Sequence, residues 1–78
     1  MQTVLLPTHA TILCVQAQRN VPCIWAKVSP RNEKVKRKFW IFGTGHPISK
    51  EEQDLHYVGT FQLDDGEFIG HLFTDEKE

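Results

Sequence analysis

The sequence predicts an all-β domain, a small antiparallel β-sandwich or barrel of about five to six strands with at most one short helical turn. Three observations carry this. Apolar, β-branched and aromatic runs of strand length recur along the chain. Turn formers (Pro, Gly, Asn, Asp) interrupt them about every ten residues. Asp65-Gly66 stands between two alternating runs, which is the strongest short-range signal for a hairpin. Seventy-eight residues build one domain, residues 1–78, around one core.

The elements follow in chain order. Thr3 to Leu6 is a short β-rich segment stopped by Pro7, and Ala10 to Gln18 is the second strand. Arg19-Asn20-Val21-Pro22 reads as a turn, because proline cannot donate to a central ladder and asparagine tolerates left-handed geometry. Cys23 to Val28 is the third strand, Ser29 to Glu33 a polar loop, and Lys34 to Phe42 the fourth strand, ended by Gly43-Thr44-Gly45-His46-Pro47. Ser49-Lys50-Glu51-Glu52 matches a capping box, with serine as N-cap and glutamate three residues on. It predicts one helical turn anchored by Leu55. Tyr57 to Leu63 and Phe68 to Thr74 are the last two strands, and the tail Asp75 to Glu78 is expected to fray.

A two-residue turn at Asp65-Gly66 sets the register of the last hairpin. Leu63 falls opposite Phe68, Phe61 opposite Gly70 and Gly59 opposite Leu72, with Tyr57 continuing that face. Phe61 covers the backbone that Gly70 exposes. The other face pairs Val58 with Phe73, Thr60 with His71 and Gln62 with Ile69. A sheet apolar on both faces in so short a chain implies a partner, and a homo-oligomer is the simplest one.

Charge is distributed unevenly. The formal net charge is -1, yet residues 1–38 carry +6 and residues 39–78 carry -7. Six of the nine basic residues lie between Lys27 and Lys38. The acidic half would repel a long phosphate backbone, so duplex nucleic acid is a less expected partner than a compact anion, which suits the basic patch. The longest apolar stretches, of about five residues, fall far short of a membrane span, and the N-terminus lacks the basic and apolar regions of a signal peptide.

Catalytic and metal motifs are weak. Cys14 and Cys23 lie in apolar strand runs and read as buried small hydrophobes. With the turn at residues 19–22, Cys14 falls opposite Lys27 and Cys23 opposite Gln18, so no disulfide joins them. His9, His46, His56 and His71 lack metal-ligand spacing and no CxxC is present. Asp64 and Asp65 read as turn formers in water. A histidine-based hydrolase would rest on His46 or His71. The sequence therefore predicts a non-enzymatic protein without metal or cofactor.

The strongest candidate site is the fourth strand with its following loop. Lys34, Lys36, Lys38, Trp40 and Phe42 share one face of KVKRKFWIF, and Val35, Arg37, Phe39 and Ile41 share the other. Lysines leading to a tryptophan offer charge for a phosphate and a ring for a base to stack on. In GTGHP, two glycines around a threonine let successive backbone N–H groups converge on an anion, and His46 adds a donor or a stacking ring. The expected ligand-binding residues are Lys36, Lys38, Trp40, Gly43, Thr44, Gly45 and His46. GTG is no Walker motif and opens no long helix. The competing reading of this strand is a solvated edge, whose lysines block aggregation, followed by a turn.

The runs VPCIWAKVSP, FWIFGTGHPI and YVGTFQLDDGEFIGHLF resemble a family of small proteins, without an assigned activity, found in tailed bacteriophages and prophages. Its pattern pairs a V-P-C-hydrophobic-W-A strand, a GTGHPI loop and a GTFQ strand, and the likeness spans about residues 10 to 74. The resemblance implies a phage protein acting in the host cytoplasm against host defence. Such a protein would sequester a small phosphorylated, nucleotide-type signal. The alternative it implies is an inhibitor that binds a host defence protein or enzyme directly.

Overall fold

The computed structural model describes residues 1–45, 47 and 54–75. Six strands account for most of them: β1 (Gln2–Pro7), β2 (Thr11–Gln18), β3 (Val21–Lys27), β4 (Lys34–Gly43), β5 (His56–Leu63) and β6 (Phe68–Thr74). They form two antiparallel layers. One is a four-stranded sheet in the order β1-β4-β6-β5, and the other is the β2–β3 ribbon. The expected capping box at Ser49–Glu52 and the tail residues 76–78 lie outside the described residues.

The ribbon packs over β5 and covers that side of one face of the sheet. Val15 from β2 joins Phe39, Phe61 and Leu72 in the buried core, with Ile12, Ile24, Leu6, Val58 and Leu63 packed around them. Gly59 permits this approach, because a Cβ there would sit 3.0 Å from Val15 Cγ1. Side-chain hydrogen bonds lock the two hairpin tips together. Asn20 Nδ2 donates to Asp64 Oδ1 at 2.8 Å, and the Asp64 N–H donates to Asn20 Oδ1 at 2.6 Å. At the other end Arg37, almost fully buried, donates from Nη1 to the Ala10 carbonyl at 3.0 Å. Asn32 Nδ2 donates to the Thr8 carbonyl at 2.9 Å and ties the two connecting loops.

The last hairpin pairs as its sequence dictates through Leu63↔Phe68, Phe61↔Gly70 and Gly59↔Leu72 on one face and Thr60↔His71 and Gln62↔Ile69 on the other. Asp65 and Gly66 take the left-handed conformations of a tight turn (φ 54° and 91°), closed by the Glu67 N–H on the Asp64 carbonyl. The Phe61 ring covers Gly70, where an added Cβ would lie 2.5 Å from Cζ.

Four expectations are corrected. A bulge between Tyr57 and Gly59 leaves Val58 without an opposite residue, so Tyr57, not Val58, stands opposite Phe73. Tyr57 thereby leaves the Phe61 face, and Val58 packs against the core. The turn after β2 is only Arg19–Asn20, both with positive φ, and Pro22 lies inside β3 opposite Ala17. Proline is tolerated there because β3 pairs only with β2, and the missing N–H falls on the open edge. This register places Cys14 opposite Trp25 and Cys23 opposite Gln16 as separate thiols, both half-buried and not the buried hydrophobes expected. Finally, β4 is no edge strand: it lies between β1 and β6.

Candidate functional site

Period-two alternation gives the four-stranded sheet an outer face, turned away from the ribbon. Across it run Thr3 and Leu5 of β1, then Lys34, Lys36, Lys38, Trp40 and Phe42 of β4. Ile69, His71 and Phe73 of β6 follow, then Tyr57, Thr60 and Gln62 of β5. The three lysines are exposed and Trp40 is half-buried. Because β4 is interior, the lysines project from the middle of a rigid surface with paired backbone on both sides.

Next to the lysine row lies an aromatic patch. Trp40 stands opposite Phe73 in the ladder. Phe73 makes edge contacts with Phe42 and with Tyr57, both at 5.5 Å between ring centroids. Phe42 is buried and Tyr57 is 57% exposed, so the patch runs from an anchored ring to an accessible one.

Beyond the aromatics, four polar side chains form a continuous line from the residue after β4 across β6 to β5. Thr44 Oγ1 lies 3.0 Å from His71 Nε2, His71 Nδ1 lies 2.9 Å from Thr60 Oγ1, and Thr60 Oγ1 lies 2.5 Å from the Tyr57 hydroxyl. The register explains the assembly. Thr60 stands opposite His71 across β5–β6, and Thr44 follows the Gly43↔Gly70 pair at the end of β4. Tyr57 joins only because the bulge turns it outward.

The expected site residues divide. Lys36, Lys38 and Trp40 share the outer face as the alternation requires, and Thr44 reaches the same region through its hydroxyl. Gly43 belongs to the ladder, and its inner side meets the Phe68 ring at 3.5 Å from an added Cβ. The Thr44 N–H already donates to the Ile69 carbonyl at 3.2 Å, so it is not available to converge on an anion as the GTG reading requires. Gly45 is exposed with φ 85°, and His46 lies outside the described residues. Arg37, counted in the basic run, points into the core. The residues that sequence reasoning did not place in the site are His71, Thr60 and Tyr57; only the Thr60–His71 cross-strand pair carried a signal for them.

On the inner face, at the β1–β4 end, the ribbon leaves an apolar cleft of about 240 Å³. Val4, Ile41, Phe39, Val15, Ile24 and Leu72 are among the residues that line it. It lies across the sheet from the lysines. Among the described residues no group of three or more His, Cys, Asp or Glu side chains could hold a metal ion, and no helix is long and apolar enough to cross a membrane.

The chain belongs to the family described as Domain of unknown function (DUF7352), whose model matches residues 1–78. No curated protein and no solved structure matches it.

Proposed function

We propose that this protein binds a small phosphorylated, nucleotide-type ligand on the outer face of its four-stranded sheet, without turnover. One observation carries the reading: Lys34, Lys36 and Lys38 project along one interior strand and lead directly to Trp40, beside Phe73 and an exposed Tyr57. Exposed ammonium groups attract phosphate oxygens, and a ring one pair further along the same face gives a base a stacking surface. The patch spans a few residues, which suits a compact anion. In a phage-infected host cytoplasm, such binding withdraws a nucleotide signal of host defence.

The test is calorimetric titration and thermal shift with mono- and dinucleotides, since a ligand of the native state raises the unfolding midpoint by mass action. Trp40→Ala is expected to weaken binding by the stacking contribution of about 1–3 kcal/mol. Lys38→Glu is expected to weaken it about tenfold or more by reversing a charge beside the phosphate. Wild-type affinity retained in both variants would refute the site.

A second reading, direct inhibition of a host protein or self-association as a homo-oligomer, is favoured by the ribbon. Its outer surface exposes Val21 (55%) and Trp25 (37%), two apolar side chains on one face of β3. Trp25→Glu is expected to abolish such a complex, read by light scattering for the homo-oligomer and by co-purification for a host target, and to leave nucleotide affinity unchanged.

A further inference from the structure

We infer that the Thr44–His71–Thr60–Tyr57 line is an oxyanion-binding element whose donor capacity is set by the protonation of His71. The inference rests on the ligand face proposed above and adds to it the residues that take the anion's oxygens.

The hydrogens of the line fix how many donors it presents. Each of the three hydroxyls carries one hydrogen, and a neutral imidazole carries one N–H. That makes four hydrogens for the three contacts Thr44–His71, His71–Thr60 and Thr60–Tyr57. Each contact uses one, so one hydrogen is left to point outward. It can leave from either end, according to the tautomer. With Nε2 as acceptor, Thr44 donates inward, His71 Nδ1–H donates to Thr60, Thr60 donates to Tyr57, and the Tyr57 hydroxyl donates outward. With Nδ1 as acceptor every donor reverses and the Thr44 hydroxyl donates outward. The count is the same for either tautomer, because both nitrogens are engaged.

An imidazolium adds a fifth hydrogen. Nε2–H then donates to Thr44 and Nδ1–H to Thr60, Thr60 donates to Tyr57, and both Thr44 and Tyr57 donate outward. The line thus presents one outward donor when His71 is neutral and two when it is charged. A carboxylate-like or phosphate-like acceptor gains a donor and an attracting charge together, whereas a neutral ligand gains far less. Oxyanion binding and proton uptake at His71 are therefore linked, each favouring the other by the same factor.

The surroundings favour an anion as the occupant. On β4 the titratable groups of this face are Lys34, Lys36 and Lys38, with Phe42 directly opposite His71. On β5 they are confined to Tyr57 itself, and β1 contributes Thr3 and Leu5. On β6 the neighbours along the face are Ile69 and Phe73. Past Phe73 the run continues to Asp75, whose Oδ1 accepts the Lys38 N–H at 3.3 Å, so this carboxylate is engaged at the lysine end of the face.

The experiment is an NMR titration of the His71 imidazole between about pH 5 and 8, with and without sulfate or 3′,5′-cyclic adenosine monophosphate. Neither probe changes charge over that range. The expected result is a higher titration midpoint for His71 with either probe, and an affinity that rises about tenfold as the pH falls from about 8 to 5. Thr60→Val cuts the line without altering any charge. It is expected to keep the binding that the lysines supply and the pH dependence owed to the imidazolium's charge, and to lose the share relayed through Thr60 to the Tyr57 hydroxyl. If the probes shift the Lys38 and Trp40 signals but the His71 midpoint stays fixed, or if Thr60→Val keeps the full pH dependence, the inference is overturned and the ligand face stands. If neither probe nor any mono- or dinucleotide perturbs the outer face, both fall.

Discussion

The two faces of the four-stranded sheet are made from alternate residues of the same strands, and they have been given opposite tasks. On the inner face β4 contributes Phe39 and Arg37, both buried, the latter holding the Ala10 carbonyl. One residue away on the outer face it contributes Lys36 and Lys38, both exposed. On β6 the inner Leu72 is sealed by the ribbon, while the outer His71 is held by two hydroxyls. The comparison shows why an interior strand suits a binding surface. Its backbone is satisfied on both sides and its inner residues anchor it, so the exposed outer lysines keep their spacing without contributing to the core, while Phe42 at the far end of the strand is buried.

Substitutions that respect or violate this division can break it. The largest effect is expected from Phe39→Ala. It removes a buried ring from the centre of the inner face and should cost about 3–5 kcal/mol in urea denaturation, much of the stability of a domain this size. Gly70→Ala comes next. Its methyl would meet the Phe61 ring at 2.5 Å and the Phe68 ring at 2.9 Å, and forcing these rings aside is expected to cost about 1–3 kcal/mol. Asn20→Gly keeps the positive φ of the turn while deleting both bonds to Asp64. It should lower stability by about 1 kcal/mol, and a loss well below that would show that the tips do not hold the layers together. Lys38→Glu is expected to change stability by less than about 0.5 kcal/mol, although the same variant is expected to lose ligand affinity. A large thermal destabilisation from it would mean that the outer face is structural after all.

Much of this division is legible in the chain. The alternation of KVKRKFWIF assigns lysines and Trp40 to one side and Phe39 to the other with no knowledge of the sheet. Asp65-Gly66 sets the pairing of Thr60 with His71, because a tight turn counts residues outward from itself. The bulge at Val58 is not legible, since an extra residue leaves the apolar pattern intact while reversing the side of everything before it. That reversal is what brings Tyr57 to the hydroxyl line. Pro22 misleads for a related reason: proline reports that an N–H is missing, not whether that N–H faced a neighbour or an open edge. Strand order is equally hidden, as nothing local to Lys34–Gly43 marks it as the partner of both β1 and β6. Thr44 was legible as a site residue through its backbone, yet it contributes through its side chain.

The position of β6 has a consequence for the order in which the molecule can be assembled. It is the last strand of the six to leave the ribosome, and it lies between β4 and β5. Until Phe68–Thr74 emerges, β4 can pair only with β1, and β5 has no partner in its own sheet. Both present open edges to their neighbours in a crowded cell. The lysines of β4 are then placed where they guard a nascent chain. Three positive charges on a temporarily open strand discourage pairing with another copy, and the same charges become a surface feature once β6 closes the sheet.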